Sequence, residues 1–147
     1  MGFFDFIIFF IYNCNMEHQS SNKNKSINGN KFEKLFTELT GLVKEKKKNK
    51  PRILNSHGLN QIIDYDFKAI IDGVEVFIDV TTTFRSDRLK QKSYNGLLMK
   101  LKQNPNCKYF IVVKSFTEKN KKKIPVLTEG MDKVIDIDEF MEIFKKQ

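Results

Sequence analysis

Histidine and cysteine are scarce in this chain, two of each in 147 residues, and none stands at a metal-binding spacing. Cys14 and Cys107 lie far apart, so neither a zinc cluster nor a disulfide framework is legible, and a reduced, intracellular setting is expected. No glycine-rich loop followed by Lys-Ser/Thr is present, which argues against ATP hydrolysis. No segment repeats. No apolar run reaches the roughly 20 residues of a membrane-spanning helix. The longest, within "MGFFDFIIFFIY", is interrupted by Asp5 and has neither the positive leader nor the small-residue cleavage site of a signal peptide. We expect translation to start at Met16, ahead of a polar "MEHQSSNKNKSINGNK", and set residues 1–15 aside; a short membrane anchor over residues 3–12 is the rival reading.

What is abundant is positive charge. Lys and Arg number 26 against 18 Asp and Glu, giving a formal net charge of +8. That excess favours a polyanionic partner, nucleic acid or an anionic membrane surface, although a generally lysine-rich proteome would produce the same count. Apolar residues make up 40% of the chain, enough for the core of one domain.

Residues 1–28 read as an N-terminal extension, with 16–28 forming a disordered or basic arm, and residues 29–147 as a single domain. Phe32, Leu35, Phe36, Leu39, Leu42 and Val43 fall at helical spacing and predict an amphipathic helix over 29–47, closed by "KEKKKNKPR" at Pro51. Residues 63–71 and 74–83 predict two strands around Asp72-Gly73, a strong hairpin signal. Leu89, Leu97, Leu98 and Leu101 predict a helix over 87–103 with Ser86 as its N-cap. Strands follow at 107–116 and 133–137, then a closing helix at 138–146 with acids first and lysines last. The order α, β-hairpin, α, β, β, α predicts an α/β domain with a mixed central sheet flanked by helices.

The hairpin sets up an electrostatic problem. In a two-residue turn, residue 68 faces 77, 66 faces 79 and 64 faces 81. Asp66 and Asp79 would then be opposed on one face with Cβ atoms about 4.5–5.5 Å apart, where like charges destabilise the pair. Either one is protonated or a cation sits between them, and a hard divalent ion such as magnesium suits one or two carboxylates. Lys68, Thr81 and Thr83 share that face, with Ile70 and Phe77 nearer the turn; Phe67, Ala69, Ile71, Val76, Ile78 and Val80 form the apolar one. Asp64 is expected at the strand start, facing water. A one-residue slip would separate the acids.

These residues, "DFKAIIDGVEVFIDVTTT", resemble the core of the PD-(D/E)xK, or restriction-endonuclease-like, nucleases. The resemblance covers about residues 29–115 and implies an αβββαβ-type restriction-endonuclease-like core. Asp66 matches the first acid of that family, Asp79 the second, and Glu33 the glutamate of the preceding helix. Two positions depart: Thr81 stands where the family carries its lysine, and no proline precedes Asp66. Lys68 is the expected local substitute, with Lys90 and Lys92 on the next helix as the other candidates. The resemblance implies Mg2+ or Mn2+ held by Asp66, Asp79 and Glu33, and hydrolysis of phosphodiester bonds.

After Asp79 the sequence "TTTFRSDRLKQK" places Thr81, Thr83, Arg85, Arg88, Lys90 and Lys92 at a strand end and a helix start, as phosphate-contacting groups would be. His57 sits in a loop and reads as incidental. The expectation is a metal-dependent DNA endonuclease of restriction, homing or junction-cleaving type, with RNA left open as substrate, acting as a homodimer or higher symmetric oligomer. A catalytically degenerate nucleic-acid-binding module of the same fold is the alternative that Thr81 motivates.

Overall fold

The computed structural model describes residues 19–124 and 130–146, with side chains from residue 27 onward. Met16, Cys14 and the apolar run over 3–12 lie outside the described residues.

Helix α1 spans Gln19–Thr40. It therefore takes in ten residues of the segment expected to be without structure, and it stops well short of the expected end. The stop is at Gly41, whose φ of 74° is in the left-handed region and whose N–H donates to the Thr37 carbonyl at 2.8 Å. The lysine-rich run beyond it is extended chain and a short 3-10 turn at Lys47–Asn49, not helix end. Phe32 and Phe36 are buried as the periodicity predicted, but Leu35, Leu39 and Val43 are exposed.

Two small strands follow, β1 (Arg52–Leu54) and β2 (Asn60–Ile62), paired antiparallel as a separate hairpin that the sequence did not announce. Next come β3 (Phe67–Ile71) and β4 (Val74–Thr81), the expected hairpin. Asp72 and Gly73 have φ of 51° and 75°, the two positive values that a type I′ turn requires. The pairing of Lys68 with Phe77 is the predicted register. The first strand, however, begins at Phe67 and not at residue 63.

Helix α2 covers Ser86–Lys102, with Arg85 as its N-cap and no side-chain cap, so Ser86 lies inside the helix. Strand β5 is Lys108–Val113, α3 is Glu118–Lys121, β6 is Lys133–Asp136 and α4 is Ile137–Lys145. Asp136 caps α4 by accepting from the Glu139 N–H at 2.9 Å.

The main sheet runs β3-β4-β5-β6, antiparallel in its first pair and parallel in the next two. It is the expected mixed sheet with helices on both faces. One face packs Phe67, Val76, Ile78 and Val80 against Phe36 and Phe140, with ring centroids 4.7 Å apart for Phe36–Phe67 and 5.2 Å for Phe36–Phe140. The other face carries two clusters that set Phe77, Tyr109 and Ile111 beneath Leu89 and Met99 of α2. Strand β4 is thus covered on both sides and bonded on both edges, which is why it is buried without alternation from Val76 to Val80. No described helix is long and apolar enough to cross a membrane.

Helix α2 lies close to the chain entering β6. A Cβ placed on Gly96 would sit 2.3 Å from the Gly130 carbonyl oxygen. Only glycine permits that approach, and it seats the residue one turn earlier, Lys92, over β4.

Candidate active site and nucleic-acid interface

The main ladder of the hairpin ends at Phe67↔Ile78, one pair short of the acids. The Asp66 N–H turns to the Ile78 carbonyl at 3.0 Å, and the Asp66 carboxylate takes the following place by accepting from the Val80 N–H at 3.0 Å. The expected direct opposition of 66 with 79, and of 64 with 81, therefore does not continue as regular pairing. Asp66 and Asp79 nevertheless line one cleft of about 170 Å3, together with Glu33, Asp64, Lys44 and Lys92.

The expectation of an open polar face for Asp79 is corrected by its burial: the residue is 1% exposed. Being on the interior strand beneath α2 is the cause. Its Oδ2 is hydrogen-bonded by the Tyr109 hydroxyl. Its Oδ1 makes no hydrogen bond, while Lys92 Nζ stands 3.3 Å away at ion-pair distance. Burial pushes the Asp79 carboxyl up to about 7; the nearby Asp66 charge adds to the rise, and Lys92 and Tyr109 oppose it. The Tyr109 hydroxyl also reaches the Asp64 carbonyl at 2.9 Å. A phenol has one proton, so it donates to that carbonyl when Asp79 is protonated and to Asp79 when it is ionised. Burial, followed by the Asp79 charge, raises the Tyr109 pKa well above its usual value.

Asp64, on the cleft rim, is exposed as expected but not solitary. Lys50 Nζ is 2.6 Å from its Oδ1 and Lys92 Nζ 4.0 Å from its Oδ2. Burial raises its pKa, but the Lys50 hydrogen bond and the Lys92 charge outweigh that and leave it lowered. Glu33 projects from α1 into the same cleft, where both its oxygens lie 3.0 Å from Lys44 Nζ. Among the described residues no three His, Cys, Asp or Glu side chains converge as a metal cluster. Asp66 and Asp79 both line the cleft, and Asp79 Oδ1 is a buried acceptor with no hydrogen bond, the kind of carboxylate oxygen that a hard cation takes as a ligand.

Of the basic edge, Thr81, Thr83, Arg85, Arg88 and Lys92 line the cleft. Thr81 and Thr83 form a tight local turn, the Thr81 hydroxyl donating to the Thr83 carbonyl at 3.0 Å. Arg85 is bridged to Asp87 at 3.2 Å. Lys90 points to solvent outside the cleft. The expected substitute lysine, Lys68, is exposed on the edge strand β3, where it pairs with Phe77, two residues nearer the turn than Asp79, and it is not among the cleft residues. Lys92 is the lysine that α2 delivers to Asp79. His57 is in the exposed β1–β2 turn, its N–H held by Asn55 Oδ1 at 2.9 Å.

Lys44 and Tyr109 escaped the sequence reading. The lysine became a site residue only when Gly41 ended the helix. The signal for Tyr109 was a hydroxyl inside the buried run "KYFIVV", since a buried phenol needs a partner.

No protein-family model matches the chain, and no curated protein matches it. Among solved structures it is similar to the restriction endonuclease PspGI in complex with substrate DNA, with a TM-score of 0.58 and 19% identity. The match covers 90% of this chain and 55% of that one, so the chain spans just over half the length of its structural neighbour. The fold is restriction-endonuclease-like.

Proposed function

We propose that this protein is a DNA endonuclease that hydrolyses phosphodiester bonds with Mg2+ or Mn2+ held by Asp66 and Asp79. The observation that carries the reading is Asp79 itself, a cleft-lining residue 1% exposed whose Oδ1 has no hydrogen bond while a lysine stands 3.3 Å away. A fold built only for stability would not bury an acid this way, because an incompletely satisfied buried carboxylate destabilises. The bound ion would supply a Lewis acid at the phosphate and a more acidic water.

The chain's own groups do the rest. Lys92 places a fixed positive charge where negative charge on the attacked phosphate grows. Tyr109 hydrogen-bonds one oxygen of Asp79 and so fixes the orientation of the carboxylate. Thr81, Thr83, Arg85 and Arg88 at the mouth contact flanking phosphates and position the strand without reading its bases. A symmetric dimer would bring two such clefts to the two strands of a duplex. The structural neighbour's own substrate, DNA, is the kind of polyanion that a chain of net charge +8 would attract.

The second reading, a binding module that no longer cuts, draws on Thr81 at the family's lysine position. Supercoiled plasmid incubated with Mg2+ separates the two. We expect nicked or linear product with wild type and none with chelator or with Asp79→Asn. Retained DNA binding without any cleavage, on DNA or RNA, would establish the second reading.

A further inference from the structure

We infer that Lys44 is a built-in cation between Glu33 and Asp66, so that the cleft takes one divalent ion and not two. The inference rests on the nuclease reading and concerns how many ions that site holds.

Lys44 Nζ is 3.0 Å from both oxygens of Glu33 and 4.0 Å from Asp66 Oδ1. It bridges the helix acid and the hairpin acid, the two groups between which a second metal would have to sit. A half-exposed ion pair alone is worth little. Here the backbone fixes it. Gly41 ends α1 and turns the chain back, and the Glu45 N–H donates to the Asp66 carbonyl at 2.8 Å. The residue next to Lys44 is thus tied to the residue whose carboxylate Lys44 faces.

The acids left over suit a single ion. Asp66 Oδ2 is committed to the Val80 N–H, leaving Oδ1, and Asp79 Oδ1 makes no hydrogen bond although Lys92 Nζ stands 3.3 Å from it. One or two carboxylates, completed by water and phosphate oxygens, are what Mg2+ ordinarily takes from a protein. No third His, Cys, Asp or Glu joins them among the described residues. Glu33 is therefore a positioning residue that holds Lys44, and its role as a metal ligand falls away.

Counting bound Mn2+ by electron paramagnetic resonance tests this on the full chain without DNA. We expect one ion per chain for wild type. Glu33→Gln should keep that ion with affinity within about threefold, as an exposed pair allows. Lys44→Met should free Glu33 and raise the count to two. Two ions on wild type, loss of the ion in Glu33→Gln, or a count that stays at one in Lys44→Met overturns the inference; if Asp79→Asn still abolishes binding, the nuclease reading survives. A wild type that binds no ion, or an Asp79→Asn chain that binds as wild type does, overturns both.

Discussion

The ammonium of Lys92 stands 3.3 Å from Oδ1 of Asp79, a helix side chain and a strand side chain meeting under cover, 14% and 2% exposed. The sequence separates them by thirteen residues and puts threonine where a strand-borne lysine would stand. Lys92→Met should therefore reduce cleavage about 10²- to 10³-fold, the usual cost of removing one group that stabilises transition-state charge. Lys68→Met should cleave as wild type does. Plasmid nicking rates for both, with DNA affinity measured alongside, check the assignment. The reverse ranking would return the role to the edge strand.

Asp79 makes the metal-free protein sensitive to pH in a stated direction. Its carboxyl titrates near 7 when folded and near its ordinary value when unfolded. The folded state then binds more protons than the unfolded one, so the favourable contribution is complete below about pH 4 and is lost as pH rises towards 7. Thermal melts from pH 4 to 8 in chelator should fall more steeply for wild type than for Asp79→Asn. Added Mg2+ should restore the wild type at high pH and leave the variant unmoved.

Tyr109→Phe removes a buried hydroxyl that serves both Asp79 and the Asp64 carbonyl. We expect a loss of about 1–3 kcal/mol by urea unfolding, the cost of leaving buried polar groups unsatisfied. The Asp79 carboxyl should rise further, because the phenol favours its charged form. An unchanged unfolding midpoint would remove Tyr109 from the site.

Gly96→Ala would set a methyl 2.3 Å from the Gly130 carbonyl oxygen, a backbone atom that a rotamer change cannot move. Overpacking of this kind costs about 1–3 kcal/mol. Since Lys92 lies one helical turn before Gly96, the variant should lose cleavage beyond its loss of stability. Comparing rates at a temperature where both proteins are folded checks this.

The parts of this architecture that local chemistry dictates were readable in advance. Asp72-Gly73 announced a reversal with two positive φ angles, and the alternation from Phe67 to Ile71 fixed which face is core. The convergence of Glu33, Asp66 and Asp79 on one cleft also followed from pattern and resemblance. What stayed hidden depends on contacts distant in sequence. Asp79 is buried because β5 pairs beside β4 and α2 covers it, and no window around residue 79 contains either element. Lys92 rather than Lys68 reaches it because Gly96 lets α2 press onto the chain near Gly130. The helix expected over 29–47 ends at Thr40, stopped by a single glycine, and with that stop Lys44 enters the cleft.

The central claim is that Asp66 and Asp79 share one divalent cation. Anomalous diffraction from crystals soaked in Mn2+ tests it directly. The account predicts one anomalous peak about 2.0–2.2 Å from a carboxylate oxygen of each of the two residues, the separation at which magnesium and zinc sit from carboxylate oxygen. A cleft without a peak, or a peak that touches neither aspartate, would contradict it.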